Sequence, residues 1–214
     1  MGLNLSGINW NFISQKGIEG ESTHLSGYVP TKDSGFTVGS VDLSKHSGGK
    51  YNDLWSMLQS YANKLDPKNL QGYGDINIDL YDKLNPYTKG GDLTDISDED
   101  ARKIEFSEDE IEYITKAKRY QYEDKLSKME GWDKLHSKTK TILTSVGWQY
   151  GLDSKKFKSL WKSKMSRKDM AKKLREFGEL EFPERRELEA KHVEPSEESS
   201  YMEQWNREDN IFYD

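Results

Sequence analysis

Gly35-Phe36-Thr37-Val38-Gly39-Ser40-Val41-Asp42-Leu43 is a Gly-rich, β-prone stretch, and Ile18-Glu19-Gly20 stands upstream of it. Together they place one carboxylate just before a glycine, then a hydroxyl and a second carboxylate on a separate element. Hydrolysis of a sugar–sugar bond needs two such carboxyl groups. One protonates the leaving oxygen while the other handles the water or the sugar cation. Glu and Asp are common, and most such pairs are solvated surface, so the rest of the chain decides how much this one weighs.

Around that stretch, Gly27, Pro30, Gly35 and Gly39 punctuate Tyr, Val, Phe and Thr, which predicts a small β-hairpin or meander over residues 25–44. Ile8, Phe12 and Ile13 predict a short N-terminal helix ending near Gly20. Downstream the chain reads as mostly helical. Leu54, Trp55, Leu58, Tyr61 and Leu65 share one face of a helix that Pro67 stops. Residues 66–95 are rich in Gly, Asn and Asp and predict loop, with a short strand through Ile76, Ile78 and Leu80. Ser107 and Glu110 have capping-box spacing ahead of a long helix to about Glu130. Thr139–Tyr150 reads as an apolar helix ended by Gly151. Asp153 is the predicted cap of a helix through Phe157, Leu160 and Trp161. Ser166 and Asp169 open the next helix, with Gly178 as the C′ residue that stops it. Pro183 suits the first turn of a last helix, to about Val193. The predicted class is α+β, mostly helical. The expected division is residues 1–50 (catalytic helix and small β lobe), 51–194 (helical lobe) and 195–214 (an acidic tail).

The 214 residues are 33% hydrophobic and 12% aromatic, with six Trp and twelve Tyr. Large rings can build a core from few residues, so this is a folded chain with a heavily charged surface. It has no cysteine, which excludes disulfides and a thiol nucleophile. His24, His46, His136 and His192 lack the spacing of a zinc motif, and no metal or cofactor is expected. No apolar run reaches the length of a membrane span, and Met1–Gly7 does not open a secretory signal. The expectation is a product of the cytoplasm with no membrane insertion. Net charge is −6. From Trp132 to Gly178, thirteen Lys and Arg stand against four Asp and Glu; from Glu179 onward, four stand against twelve. The basic block would suit an anionic polymer, or else it forms solvated helix faces. A nucleic-acid partner is not expected, since no recognition motif accompanies the block and the whole chain is acidic.

Four segments resemble phage-type lysozymes, with the pesticin-like variant nearest: Ile18-Glu19-Gly20; Ser34 to Leu43; Ser145-Val146-Gly147-Trp148-Gln149-Tyr150-Gly151; and Leu174 to Gly178 followed by Pro183 to Ala190. The resemblance implies a two-lobe lysozyme-like fold. It also implies hydrolysis of the β-1,4 bond between N-acetylmuramic acid and N-acetylglucosamine in peptidoglycan, by a monomer. It makes Glu19 the acid, with a water held by Thr37 and Asp42. Two departures stand beside it. Asp33 occupies the place of the second carboxylate in many phage lysozymes, whereas Asp42 follows the Thr as in pesticin-like sequences and is preferred. The usual Thr-Ile-Gly-x-Gly pattern is one residue and one glycine short here. Acting on the wall would require release from the cell or carriage in a virion. A bacteriocin or effector muramidase, and a lysozyme-like binding or structural module without catalysis, are the alternatives.

As general acid, Glu19 needs a raised pKa, which partial burial and the negative end of its helix would supply; Glu21 is the backup. Thr37 would hold a water, although an ordinary strand Thr is the commoner fate. Gln149, with Tyr28 and Trp148, is a candidate for substrate binding, since an amide can both donate to and accept from a sugar N-acetyl group. Trp148 and Tyr150 are at this spacing more often core than platform. Arg185 matches, by the resemblance, a basic residue that pairs with the acid, and Arg186 is the alternative.

Overall fold

The computed structural model describes residues 7–14, 25–30, 34–39, 41–45, 53–65, 78–89, 91–161 and 165–195. It is mostly helical with one small antiparallel sheet. The chain divides into two compact units, one of Met1–Gly20 with Glu130–Asp214, the other of Glu21–Met129.

In the Glu21–Met129 unit, β1 (Thr37–Val38) and β2 (Val41–Asp42) form the predicted hairpin, with Thr37 opposite Asp42 and Val38 opposite Val41. Gly39 opens the turn with φ +56°, the left-handed backbone that two-residue hairpin turns require at their first central position. A third chain segment joins this ribbon through the bridge Tyr28–Thr37. A fourth joins through Ser26–Glu105, with Gly27 N–H donating to Ile104 O (3.0 Å) and Phe106 N–H to Leu25 O (2.7 Å). Asp98 Oδ1 accepts the Val29 N–H at 2.8 Å and ties the same segment down.

The inner face of the hairpin belongs to one core. Phe36, Val38, Val41 and Leu43 pack with Leu54, Met57 and Leu58 of α2 (Asp53–Lys64) and with Tyr113, Ile114 and Ala117 of the long α5 helix (Glu108–Ser127). The sheet and α2, placed in different parts by a boundary at residue 50, thus share their buried side chains. Residues 78–84 (α3) correct the predicted loop with a strand: they are helical. Leu80, Tyr81 and Leu84 recur at helical spacing and are buried, while Ile78 is 52% exposed, so the apparent alternation was half of a helical period. A 3-10 turn, Asn85–Tyr87, follows and stacks Tyr87 on Phe36 at 4.2 Å. The one-turn helix α4 (Asp98–Ala101) is capped by Ser97. Ser107 and Glu110 form both halves of the predicted capping box on α5.

In the other unit, α1 (Trp10–Ile13) is a single turn capped by Asn9, whose own N–H donates to Thr141 Oγ1 of α6 at 2.9 Å. Ile8 and Ile13 are fully buried. Residues 15–24, where this helix was expected to end, lie outside the described residues, as do 66–77 and the tail from 196. α6 (Ser137–Tyr150) begins slightly before the predicted Thr139, because the His136 ring accepts the Lys138 N–H as a cap. α7 (Lys155–Trp161) is capped by Ser154, which accepts the Phe157 N–H at 3.1 Å; Asp153, the predicted cap, pairs with Lys158. α8 (Arg167–Gly178) and α9 (Pro183–Val193) form a helical hairpin.

Gly178 is not a left-handed C′ residue. It is the last residue of α8, and Glu179 caps the helix in right-handed conformation. Its missing side chain serves packing, since a Cβ there would stand 3.1 Å from Arg186 Cβ on α9. Among the described residues no helix is long and apolar enough to cross a membrane.

Candidate functional site

Three of the sequence-predicted site residues meet in the ribbon. Thr37 exchanges both backbone hydrogen bonds with Tyr28, donating at 2.8 Å and accepting at 3.0 Å. Its N–H and C=O therefore face Tyr28, which makes the opposite pair, Thr37–Asp42, a non-hydrogen-bonded one. In such pairs the Cα atoms stand about 4.5 Å apart and the side chains approach most closely. Residues directly opposite share a face, so Tyr28, Thr37 and Asp42 form one row across the ribbon. Tyr28 reaches along it, its hydroxyl donating to Gly39 O at 2.8 Å.

Each member of the row is held. Thr37 is 4% exposed and its hydroxyl donates to Gly35 O at 3.1 Å. Asp42 is partly exposed. Its Oδ1 accepts from Ser44 twice, from the hydroxyl at 2.6 Å and the backbone N–H at 3.1 Å. Gly35 makes room for this grip, since a Cβ on it would lie 2.2 Å from Ser44 Cβ. Ser44 carried no role in the sequence reading. A serine two residues after an aspartate is the signal of a local Asx-type turn and was available.

The remaining described candidates gather in the other unit around a buried ion cluster. Arg186 and Glu189, both 0% exposed, pair through Nη1 and Oε2, one helical turn apart on α9. Glu189 Oε1 accepts from the Ser145 hydroxyl of α6 and from Arg185 Nε at 3.2 Å. Arg185 Nη2 donates to Ser145 O and Oγ at 3.2 and 3.1 Å. Burial pulls the Arg185 guanidinium below its ordinary pKa, and the Glu189 carboxylate opposes that. Arg186 Nη2 donates to Gln149 Oε1, and its guanidinium lies 5.2 Å from the centre of the Tyr150 ring. The Tyr150 hydroxyl donates to Glu181, which Lys156 also binds at 2.6 Å; Lys156 is the main cause of the lowered pKa of Glu181. Trp148 packs edge-on against Trp10, ring centres 5.3 Å apart.

The sequence names Gln149 and both arginines as candidates but gives no role to Glu189, which the structure places in contact with both arginines. The i, i+3 and i, i+4 spacings to the two arginines were legible; the burial that gives them weight was not. Glu19, Glu21 and Asp33 lie outside the described residues. No protein-family model matches this sequence, and no curated protein matches it.

Proposed function

We propose that this chain is a peptidoglycan hydrolase of lysozyme-like fold that cleaves the β-1,4 bond between N-acetylmuramic acid and N-acetylglucosamine. The observation that carries the reading is the cross-strand pairing of Thr37 with Asp42. Thr37 spends its hydroxyl proton on Gly35 O, which leaves its oxygen as an acceptor. Asp42, ionised, is an acceptor as well. A water between them donates one proton to each and turns a lone pair outward, as an attacking water must. Glu19 supplies the proton to the leaving oxygen, and Asp42 takes one from the water. Inversion of configuration goes with carboxyl groups about 6.5–9.5 Å apart. The order of the four lysozyme-like segments along the chain supports the same reading.

The test is dye release from purified peptidoglycan, with mass spectrometry of the fragments. Muramic acid at the new reducing ends is the expected product. Glu19→Gln should lower the rate by about 10²–10⁴-fold, the usual worth of a general acid, with the melting temperature nearly unchanged. Cleaved cross-link peptides, or full activity in Glu19→Gln, would remove the assignment. An intact protein that binds the wall and cuts nothing would make it a binding module.

A further inference from the structure

We infer that Arg186 sets the hydrogen-bonding polarity of Gln149, so that this side chain offers only donors to a ligand and selects an acceptor oxygen, the carbonyl of an N-acetyl group. A guanidinium has five N–H donors and no acceptor. The atom of Gln149 that meets Arg186 is therefore its oxygen, and the amide nitrogen with both its protons points the other way. A free glutamine can turn its amide over and present either end. Here the turn would set N–H against N–H and break the bond to Arg186.

Arg186 is itself held in place. It is fully buried, paired with Glu189 and packed closely on Gly178, where an added Cβ would stand 3.1 Å from Arg186 Cβ. Glu189 is in turn fixed by Ser145 and Arg185. Ser145 and Gln149 lie four residues apart on the same face of α6, so the chain Ser145–Glu189–Arg186–Gln149 runs through buried protein to a side chain that is partly exposed. Among the described residues, Gln149 Nε2 donates to nothing. The arrangement replaces the sequence expectation that Gln149 both donates and accepts. The donor polarity stands on these contacts alone; its assignment to an acetamido sugar rests on the proposed muramidase function.

The test follows the Gln149 side-chain amide by ¹⁵N NMR in the full-length protein. The probes are triacetylchitotriose, the de-N-acetylated trimer and acetate. The acetylated trimer should shift the Gln149 NH₂ resonances and the de-N-acetylated trimer should not. Gln149→Glu retains the pairing with Arg186 but presents an acceptor. It should weaken the acetylated trimer about tenfold, the worth of one lost hydrogen bond, with the fold intact. Arg186→Met releases the amide and should bring the preference for acetylated over de-N-acetylated sugar toward one; if that variant does not fold, Gln149→Glu decides. A silent Gln149 amide, or equal affinity in Gln149→Glu, overturns the inference. A shift with acetate and none with the trimer overturns the acetamido assignment. Normal peptidoglycan hydrolysis with a silent Gln149 sinks only this inference, whereas a responsive Gln149 in a protein that leaves peptidoglycan intact sinks only the muramidase.

Discussion

Ser44 holds Asp42 through a hydroxyl and a backbone N–H on the same oxygen, and those two bonds fix the direction in which the carboxylate faces. Removing the hydroxyl leaves the N–H, so the carboxylate keeps one anchor and gains freedom to rotate. Under the proposed muramidase function, Ser44→Ala should therefore lower peptidoglycan hydrolysis about tenfold, since a hydrogen bond to a charged group is worth somewhat more than a neutral one. Ser44→Thr should retain activity, and thermal melts of both should stay close to that of the parent. A Ser44→Ala protein with full activity would show that Asp42 needs no such anchor.

The helical hairpin of α8 and α9 depends on two features that do not tolerate change. Glu189 neutralises buried guanidinium charge. Glu189→Ala leaves Arg186 charged and unpaired in the interior and should cost about 3–5 kcal/mol in urea unfolding, as breaking a buried pair does. Gly178→Val forces a branched side chain against Arg186 and should cost about 1–3 kcal/mol, the usual range for overpacking. On α5, Ser107→Ala removes a cap bond to the Glu110 N–H and should cost about 1 kcal/mol. The outer side of the hairpin is less critical. Arg175 reaches Glu187 and Glu194, but all three are partly exposed, so those pairs contribute little.

Acid acts on both units, with the same sign. Burial, aided by Lys138, lowers the pKa of His192, which stacks on Phe12 at 3.9 Å. The Val29 N–H, then Arg102, lowers that of Asp98. In each case the unfolded chain binds the proton more readily, so stability rises with pH across the gap between the two values. His192 contributes fully above its unfolded value, about 6.5, and the contribution is lost as pH falls through that value towards its lower folded one. Asp98 contributes above the unfolded carboxylate value and loses that as pH falls through its depressed folded pKa. Urea midpoints should drop from pH 8 to pH 5, and His192→Phe should flatten that drop without touching the loss at more acid pH that Asp98 brings. The same molecule shows where sequence suffices. Helix caps such as Ser107 and Ser166, the hairpin turn at Gly39 and the start of α9 at Pro183 were readable, because each is decided by backbone sterics and hydrogen bonds within a few residues. The helix at residues 78–84 was misread because one short apolar run fits both periods, and only the burial of Leu80, Tyr81 and Leu84 in the core they share with α2 and α5 selects the helix. The row Tyr28–Thr37–Asp42 was legible as residue types, but its register came from a ribbon that residues 104–106 help to build. Which arginine the Gln149 side-chain oxygen meets, and that Glu189 sits between two of them, follows from α6 and α9 meeting across 37 to 44 positions of chain. Local chemistry cannot specify that contact, because its energy exists only once the two helices have excluded water from between them.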